Sequence, residues 1–132
     1  MALTVEDQLA IQQLYAKYNH AIDAGKGDAW AATFTQDGTF SSATGTFSGT
    51  EQLAGFANGF GQRIKARHWT NNLLLEGDAG KATGTCYLVL YRLTPGEQPP
   101  AGVLTTAIYN DELAKGPDAA WRFSKRTVTG DA

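Results

Sequence analysis

The chain has 132 residues, a length that favours one domain, residues 1–132, built around one hydrophobic core. With 42% hydrophobic and 18% charged residues, its composition is that of a globular protein and excludes a disordered one. Eleven basic and 13 acidic residues give a net charge of -2 without a block of like charge, which argues against a nucleic-acid-binding surface.

The N-terminal residues do not join a basic segment to an apolar run, so we expect no signal peptide and a cytoplasmic protein. No apolar run approaches the ~20 residues that cross a bilayer, so we expect no membrane partner. The single cysteine, Cys86, excludes an intramolecular disulfide, and we interpret it as a small buried hydrophobe.

The first part of the chain predicts two helices. Thr4 is a candidate N-cap, and the first helix should run from there to about Ala24, where Gly25 can end it. Apolar residues recur along this helix at helical spacing: Ile11, Leu14, Tyr15, Tyr18 and Ile22. A short second helix, residues 29–34, should follow Asp28 as its N-cap, and residues 36–38, Gln-Asp-Gly, predict a turn.

The rest of the chain predicts six strands and one further helix. The strands are expected at 39–43, 46–48, 67–75, 81–93, 103–113 and 120–128, and the third helix at 50 to about 65. A loop rich in proline and glycine should span 94–102. Because the connections are short, we predict an α+β fold in the order α-α-β-β-α-β-β-β-β, in which three helices cover a strongly twisted antiparallel sheet.

Alternation along the long strand at 81–93 leaves two largely apolar faces. Cys86, Leu88, Leu90 and Arg92 share one face, and Tyr87, Val89 and Tyr91 share the other. Which face lines the interior stays open at this stage. Two apolar faces on one strand favour a homodimer formed through the sheet.

The order of elements resembles that of the nuclear transport factor 2-like superfamily. Three phrases carry the resemblance: Ile11…Leu14-Tyr15…Tyr18…Ile22-Asp23, then Trp30…Phe34-Thr-Gln-Asp37-Gly-Thr-Phe40, then Arg67-His68 before a strand. They are most similar to the SnoaL-like branch, which includes polyketide cyclases, scytalone dehydratase, bile-acid dehydratase and ketosteroid isomerase. The resemblance implies a cone-shaped sheet around an apolar cavity, and dimers.

The resemblance also implies roles for individual residues. Asp23 falls where the dehydratases have a catalytic aspartate, His68 where they have a catalytic histidine, and Tyr18 where the isomerase and bile-acid dehydratase have a catalytic tyrosine. Ser42 stands where the isomerase has its general base, so isomerisation by that route is not expected. Tyr91 or Arg92 stands where a second acidic residue or histidine is found.

From these residues we predict acid/base chemistry without a cofactor. Histidine can both remove a proton beside a carbonyl and protonate a leaving hydroxyl near neutral pH. Asp23 would orient His68, and Tyr18 would donate to the developing enolate oxygen. The substrate would be a small apolar or aromatic cyclic carbonyl compound. Its pocket would contain Trp30, Phe34, Phe40, Ser42, Phe56, Phe60 and, as an anion-binding residue, Arg92.

Other groups of ligands are not expected. Two histidines and one cysteine form no familiar metal-ligand pattern, so we expect no metal. The glycines at 55, 59 and 61 follow a helical pattern rather than a phosphate loop, so we expect no nucleotide. Substrate identity is not encoded in these patterns.

Each functional interpretation has a structural alternative. Asp23 can serve only as a local cap at the helix end, Tyr18 only as core, and His68 only as the partner of an acidic neighbour. On an ideal helix Asp23 lies roughly 140° around from Tyr18, and His20 points away from the apolar stripe, so we leave His20 out of the site. The alternative function is a non-catalytic module for ligand binding or dimerisation.

Overall fold

The computed structural model describes residues 2–96 and 102–132. Its helices are α1 (Val5–Asp23), α2 (Gly27–Ala31) and α3 (Thr50–Arg63). Its strands are β1 (Phe34–Ser42), β2 (Gly45–Ser48), β3 (Ala66–Gly77), β4 (Lys81–Arg92), β5 (Gly102–Lys115) and β6 (Trp121–Gly130). The predicted order of elements and the α+β fold class are confirmed. The predicted loop at 94–102 falls partly on residues 97–101, outside the described residues.

The six strands form one curved sheet in the order β2-β1-β6-β5-β4-β3. Neighbouring strands are antiparallel as predicted, with one exception that was not predicted from the sequence: β1 and β6 are parallel. Strand β3 is therefore at one edge of the sheet, beside α1. A bulge between Asn71 and Leu74 interrupts its pairing with β4, and Asn72 adopts a φ of 56° there.

Helix α1 forms as its sequence predicts. Thr4 Oγ1 accepts a hydrogen bond from the Asp7 N–H at 3.0 Å, and Asp7 accepts in return from the Thr4 N–H, which completes a capping box. The predicted apolar stripe is buried in the core. At the other end Gly25 adopts a φ of +70°, a conformation that glycine takes without steric cost. Within the described residues no helix is long and apolar enough to cross a membrane.

Two local predictions between α1 and β2 are wrong. Asp28 lies in the first turn of α2 rather than at its N-cap, and α2 ends at Ala31 instead of reaching Phe34. Phe34 instead begins β1 by pairing with Phe123 of β6. Phe34 is extended because it pairs with a strand that is distant in the sequence, and the helical spacing of Trp30 and Phe34 could not indicate this pairing.

The predicted turn at residues 36–38 is a bulge inside β1. Phe34 pairs with Phe123 and Thr39 with Lys125, so five steps along β1 oppose two along β6. At its centre Gly38 has no space for a side chain, since a Cβ there would lie 2.9 Å from the Cβ of Phe34. Residues 36–38 therefore form a bulge within β1 rather than a turn between two elements.

The interior of the fold contains a buried ion pair. Arg126 Nε and Nη2 donate to the two carboxylate oxygens of Asp111 at 2.7 and 2.8 Å, and both side chains are fully buried. The Tyr15 hydroxyl also donates to Asp111. Although burial alone would lower it, Asp111 holds the pKa of Arg126 well above its ordinary value.

Four aromatic rings surround the Arg126 guanidinium. Its central carbon lies between 3.7 and 4.8 Å from the ring centroids of Tyr109, Phe123, Tyr18 and Tyr15. At these distances each ring face attracts the cation. The rings and the ion pair therefore pack between α1 and the sheet.

Replacing Asp111 by Asn should lower the free energy of unfolding by about 3–5 kcal/mol, because Arg126 would keep a buried charge without its counter-ion. The matched control is Asp118→Asn, which breaks the exposed pair of Asp118 with Arg122 at 2.9 Å and should cost less than about 1 kcal/mol. Urea unfolding followed by circular dichroism measures both. Equal losses in the two variants would contradict a special role for the buried pair.

Candidate functional site

Asp23 and His68 form a direct contact between α1 and β3. The Nδ1 atom of His68 lies 2.6 Å from Oδ1 of Asp23. The backbone N–H of His68 also donates to both carboxylate oxygens, at 3.1 Å each. The side chain of His68 is 7% exposed and that of Asp23 is 12% exposed, so water weakens these contacts little. The predicted pairing of the two residues is therefore present in the structure.

A second pair of side chains repeats this contact one step away. Asn19 Nδ2 donates to Thr70 Oγ1 at 3.0 Å. Asn19 precedes Asp23 by four residues of helix, about 6 Å, and Thr70 follows His68 by two residues of strand, about 6.6 Å. The similar repeats let one turn of α1 match two residues of β3. Sequence reasoning missed Asn19 and Thr70, although these spacings from Asp23 and His68 could have identified them.

Two other residues border the Asp23–His68 pair. Arg67 Nε lies 3.8 Å from Oδ2 of Asp23, with its side chain 57% exposed, so its charge adds only a weak interaction. The Phe60 ring of α3 lies with its centroid 5.7 Å from that of the His68 imidazole. Asp23 thus contacts Nδ1 of His68, and Nε2 is the ring nitrogen left for a ligand.

A pocket of about 960 Å³ lies along this contact. We call it the dyad groove, and it runs between α1 and β3. Its polar lining residues are Gln12, Tyr15, Asn19, His20, Asp23, Arg67, His68, Thr70, Asn71 and Asn72. Ala16, Leu73 and Cys86 add apolar surface, and the hydroxyl of Tyr15 donates to Asp111. A groove that combines amide groups with apolar walls suits a ring that carries oxygen atoms.

Tyr18, the third predicted catalytic residue, is not among the residues lining the dyad groove. It is 1% exposed, and its ring centroid lies 4.4 Å from the Arg126 guanidinium carbon. Burial raises the pKa of its hydroxyl. Tyr18 and Asp23 point in different directions around α1, so Tyr18 lies in the core whereas Asp23 lines the dyad groove.

The predicted aromatic walls are divided between core and surface. Trp30, Phe34 and Phe40 are at most 5% exposed and pack on one another, with ring centroids 5.0 to 6.5 Å apart. They belong to the buried hydrophobic core, and none of them lines the dyad groove. Phe56 lines a separate groove with Phe47, and Phe60 contacts His68.

The two remaining pocket candidates lie away from the dyad. Ser42 ends β1, where its hydroxyl lies 2.8 Å from that of Thr44. Arg92 is exposed at the end of β4 and is not among the residues that line the dyad groove. His20 is exposed as expected, yet it borders the dyad groove.

Burial settles which face of β4 points inward. Cys86, Leu88 and Leu90 are buried, whereas Tyr87 is 51% exposed. Burial raises the pKa of the Cys86 thiol to about 11, which fits its interpretation as a small hydrophobe. No three His, Cys, Asp or Glu side chains come together as a possible metal site in the part of the chain that the structure describes.

The contact with Asp23 should fix the tautomer of His68. Its neutral ring should carry the proton on Nδ1, because the carboxylate accepts from that nitrogen. We expect ¹⁵N NMR to show this form for His68 and a loss of the preference in Asp23→Ala. Exposed His20 is the internal reference and should not change. A neutral His68 protonated on Nε2 in the unmodified protein would contradict the assignment.

The family model of the SnoaL-like domain matches residues 3–127. A protein of unknown function from Mycobacterium tuberculosis, solved as a point variant, is 32% identical; the match covers 94% of this chain and 71% of that one, with a TM-score of 0.87. No curated protein matches the chain.

Two more distant structures share the fold. An NTF2-like protein with a cystatin-like fold from Novosphingobium aromaticivorans is 22% identical over 94% of this chain and 81% of its own, with a TM-score of 0.85. A proposed scytalone dehydratase from the same species is 19% identical over 97% and 86%, with a TM-score of 0.83. The chain therefore belongs to the SnoaL-like domain family.

Proposed function

We propose that the protein is a cofactor-independent lyase or isomerase, of the dehydratase or cyclase type, that acts on a small cyclic carbonyl compound in the dyad groove. The observation that carries this proposal is the 2.6 Å contact between Asp23 and His68. A carboxylate that fixes one nitrogen of a histidine prepares the other nitrogen to accept and release protons.

The chemistry follows from this geometry. Nε2 of His68 takes a proton from the carbon beside the substrate carbonyl, and the electrons of that C–H bond form an enolate. Asp23 stabilises the imidazolium that results. In a dehydration, Nε2–H then protonates the β-hydroxyl, which leaves as water while the enolate collapses to a conjugated carbonyl. In an isomerisation, the same proton returns to a different carbon.

The enolate oxygen needs a hydrogen-bond donor, and Tyr18 does not fit that role because it is buried against Arg126. Asn19 and Thr70 lie next to the dyad in the same groove. We assign to them the binding of substrate oxygen atoms. The hydroxyl of Thr70 accepts from Asn19 and keeps its own hydrogen free to donate to the enolate oxygen. Oδ1 of Asn19, buried without a hydrogen-bond partner among the described residues, can accept from a hydroxyl of the substrate.

The family and the fold support the class of reaction. SnoaL-like domains are small-ligand-binding folds, and a proposed scytalone dehydratase shares the architecture of this chain. The groove is lined by more polar groups than the predicted apolar cavity would have. This lining favours an oxygen-substituted ring over a plain hydrocarbon one.

The alternative function is a non-catalytic ligand-binding module. One observation favours it: the Asp23 carboxylate accepts from the His68 backbone as well as the ring, so it also ties the end of α1 to β3. A purely structural contact would not transfer protons. A proton-transfer assay therefore separates the two functions.

The protein should catalyse hydrogen–deuterium exchange at the α-carbon of a model cyclic ketone, 2-tetralone, in D₂O, followed by proton NMR. His68→Gln should slow the exchange by about 100- to 10,000-fold, the usual contribution of a general base. The matched control is His20→Gln, which removes the other histidine bordering the groove and should leave the rate unchanged.

Two results would reject the catalytic proposal in favour of the binding module. One is an exchange rate no faster than that in buffer, although 2-tetralone perturbs the NMR signals of Asn19 and Thr70. The other is an equal effect of His68→Gln and His20→Gln. Circular dichroism of both variants shows whether the fold is retained.

We also propose that the protein forms a homodimer through the outer face of the sheet. Trp69, Tyr87 and Val103 are 58, 51 and 54% exposed on the face opposite the helices. The Trp69 and Tyr91 rings meet there with centroids 4.8 Å apart. A contiguous apolar patch of this kind marks an interaction surface.

In sedimentation equilibrium the protein should be a dimer at micromolar concentration. Tyr87→Lys should shift it towards the monomer, because a charge would be buried in the interface. Leu9→Lys, at an apolar residue of α1 that is 59% exposed, is the control and should leave the dimer intact. A monomeric unmodified protein would contradict the proposal.

A further inference from the structure

A second groove lies on the opposite flank of α1 from the dyad. We call it the cationic groove; it has a volume of about 550 Å³ and lies between α1, α2 and the start of β6. His20 and Ala24 border both grooves, since they lie on the crest of the helix between them. Asp23 and His68 do not line it, so its chemistry is separate from that of the dyad.

The floor of the cationic groove is apolar and built from small residues. Ala21, Ala29 and Ala32 lie beneath it, and Leu14 and Trp121 complete the apolar surface. Alanines from two helices leave room that larger side chains would fill. A ligand with an apolar body can therefore bury surface there.

Trp121 is held in place by a hydrogen bond outside the groove. Its Nε1–H donates to Oδ1 of Asp7 at 3.0 Å, and Lys115 Nζ donates to the same oxygen at 3.1 Å. The hydrogen bond from Trp121 is the largest cause of a lowered pKa of Asp7, which falls from 3.8 to about 2, and the bond from Lys115 adds to it. The indole thus has a fixed partner at all ordinary pH values, which makes this wall of the groove preformed.

The rim of the groove is positively charged. Lys17, Lys26 and Arg122 line it together with His20, and no Asp or Glu is among its described lining residues. Asp118 compensates Arg122 through two hydrogen bonds, at 3.1 and 2.9 Å. Neither Lys17 nor Lys26 has an ion pair among the described residues.

The positive charges of this rim come from different parts of the fold, whereas those of an ordinary solvated helix face come from one helix. Lys17 is on α1, Lys26 is in the connection between α1 and α2, and Arg122 is on β6. Three separate elements therefore bring cations around one apolar floor, in a chain whose net charge is -2. Low-dielectric walls strengthen the field of such a rim and raise the local concentration of anions.

We propose that the cationic groove is a second ligand site, for a small organic anion with an apolar body, such as an aromatic carboxylate. The apolar body lies on the alanines and Trp121, and the carboxylate lies between Lys17 and Lys26. This site goes beyond the proposed enzymatic function, because its occupation does not depend on proton transfer at His68.

The test uses 2-naphthoate as the probe and its neutral analogue, 2-naphthamide. In ¹H–¹⁵N NMR titrations of the full chain, 2-naphthoate should shift the signals of Ala21, Ala29 and Trp121 in a saturable manner. The double variant Lys17→Gln/Lys26→Gln should weaken this binding at least about tenfold, since two partly exposed charge contacts together contribute on the order of 1.4 kcal/mol. 2-Naphthamide should bind the unmodified protein about as weakly as 2-naphthoate binds the variant.

A matched double variant controls for net charge. Lys65→Gln/Lys81→Gln removes two exposed lysines that do not line the groove, and it should change the affinity less than twofold. Equal weakening in the two double variants would overturn the proposal. So would equal binding of acid and amide, the absence of saturable shifts at millimolar probe, or shifts confined to Asn19, His68 and Thr70.

Discussion

The ion pair between Arg126 and Asp111 is the constraint on which the rest of this structure depends. A fully buried cation requires a counter-ion and polarisable neighbours, and Asp111 with four aromatic rings supplies them. These groups occupy the space between α1 and the sheet, where an apolar ligand cavity was expected. The dyad groove is instead at the flank of α1, beside the edge strand β3.

Helix α1 serves three environments because its 3.6-residue period presents three faces. Its central stripe, which contains Tyr15 and Tyr18, packs on the buried ion pair. One flank carries Asn19 and Asp23 to β3 and forms the dyad groove. The other flank carries Lys17 and forms the cationic groove. A single helix thus links the stability of the core to the position of both candidate ligand sites.

The sequence predicts α1, the order of elements and the Asp23–His68 contact well. The first two follow from periodicity and capping, which are local. The contact joins residues 45 positions apart, and the resemblance to a family suggested it. Asn19 and Thr70 were accessible by the same reasoning, since they repeat the spacing of helix and strand around that pair.

Of the two residues in the buried ion pair, the sequence pattern indicates that Asp111 is buried but not that Arg126 is. Tyr109, Asp111 and Leu113 alternate along β5, so strand periodicity places Asp111 on the apolar face. Arg126 is different, because Glu112 pairs with Lys125 but Leu113 pairs with Phe123, which leaves one extra residue in β6. This bulge reverses the alternation after Phe123 and turns Arg126 inward in place of Lys125.

The central claim is that Asp23 and His68 act as one catalytic unit. A double-mutant cycle on the 2-tetralone exchange rate tests it most directly, with the single variants Asp23→Ala and His68→Ala and the double variant. If Asp23 acts only through His68, the double variant should be no slower than His68→Ala alone. Losses that multiply in the double variant, or a full exchange rate in His68→Ala, would contradict the account.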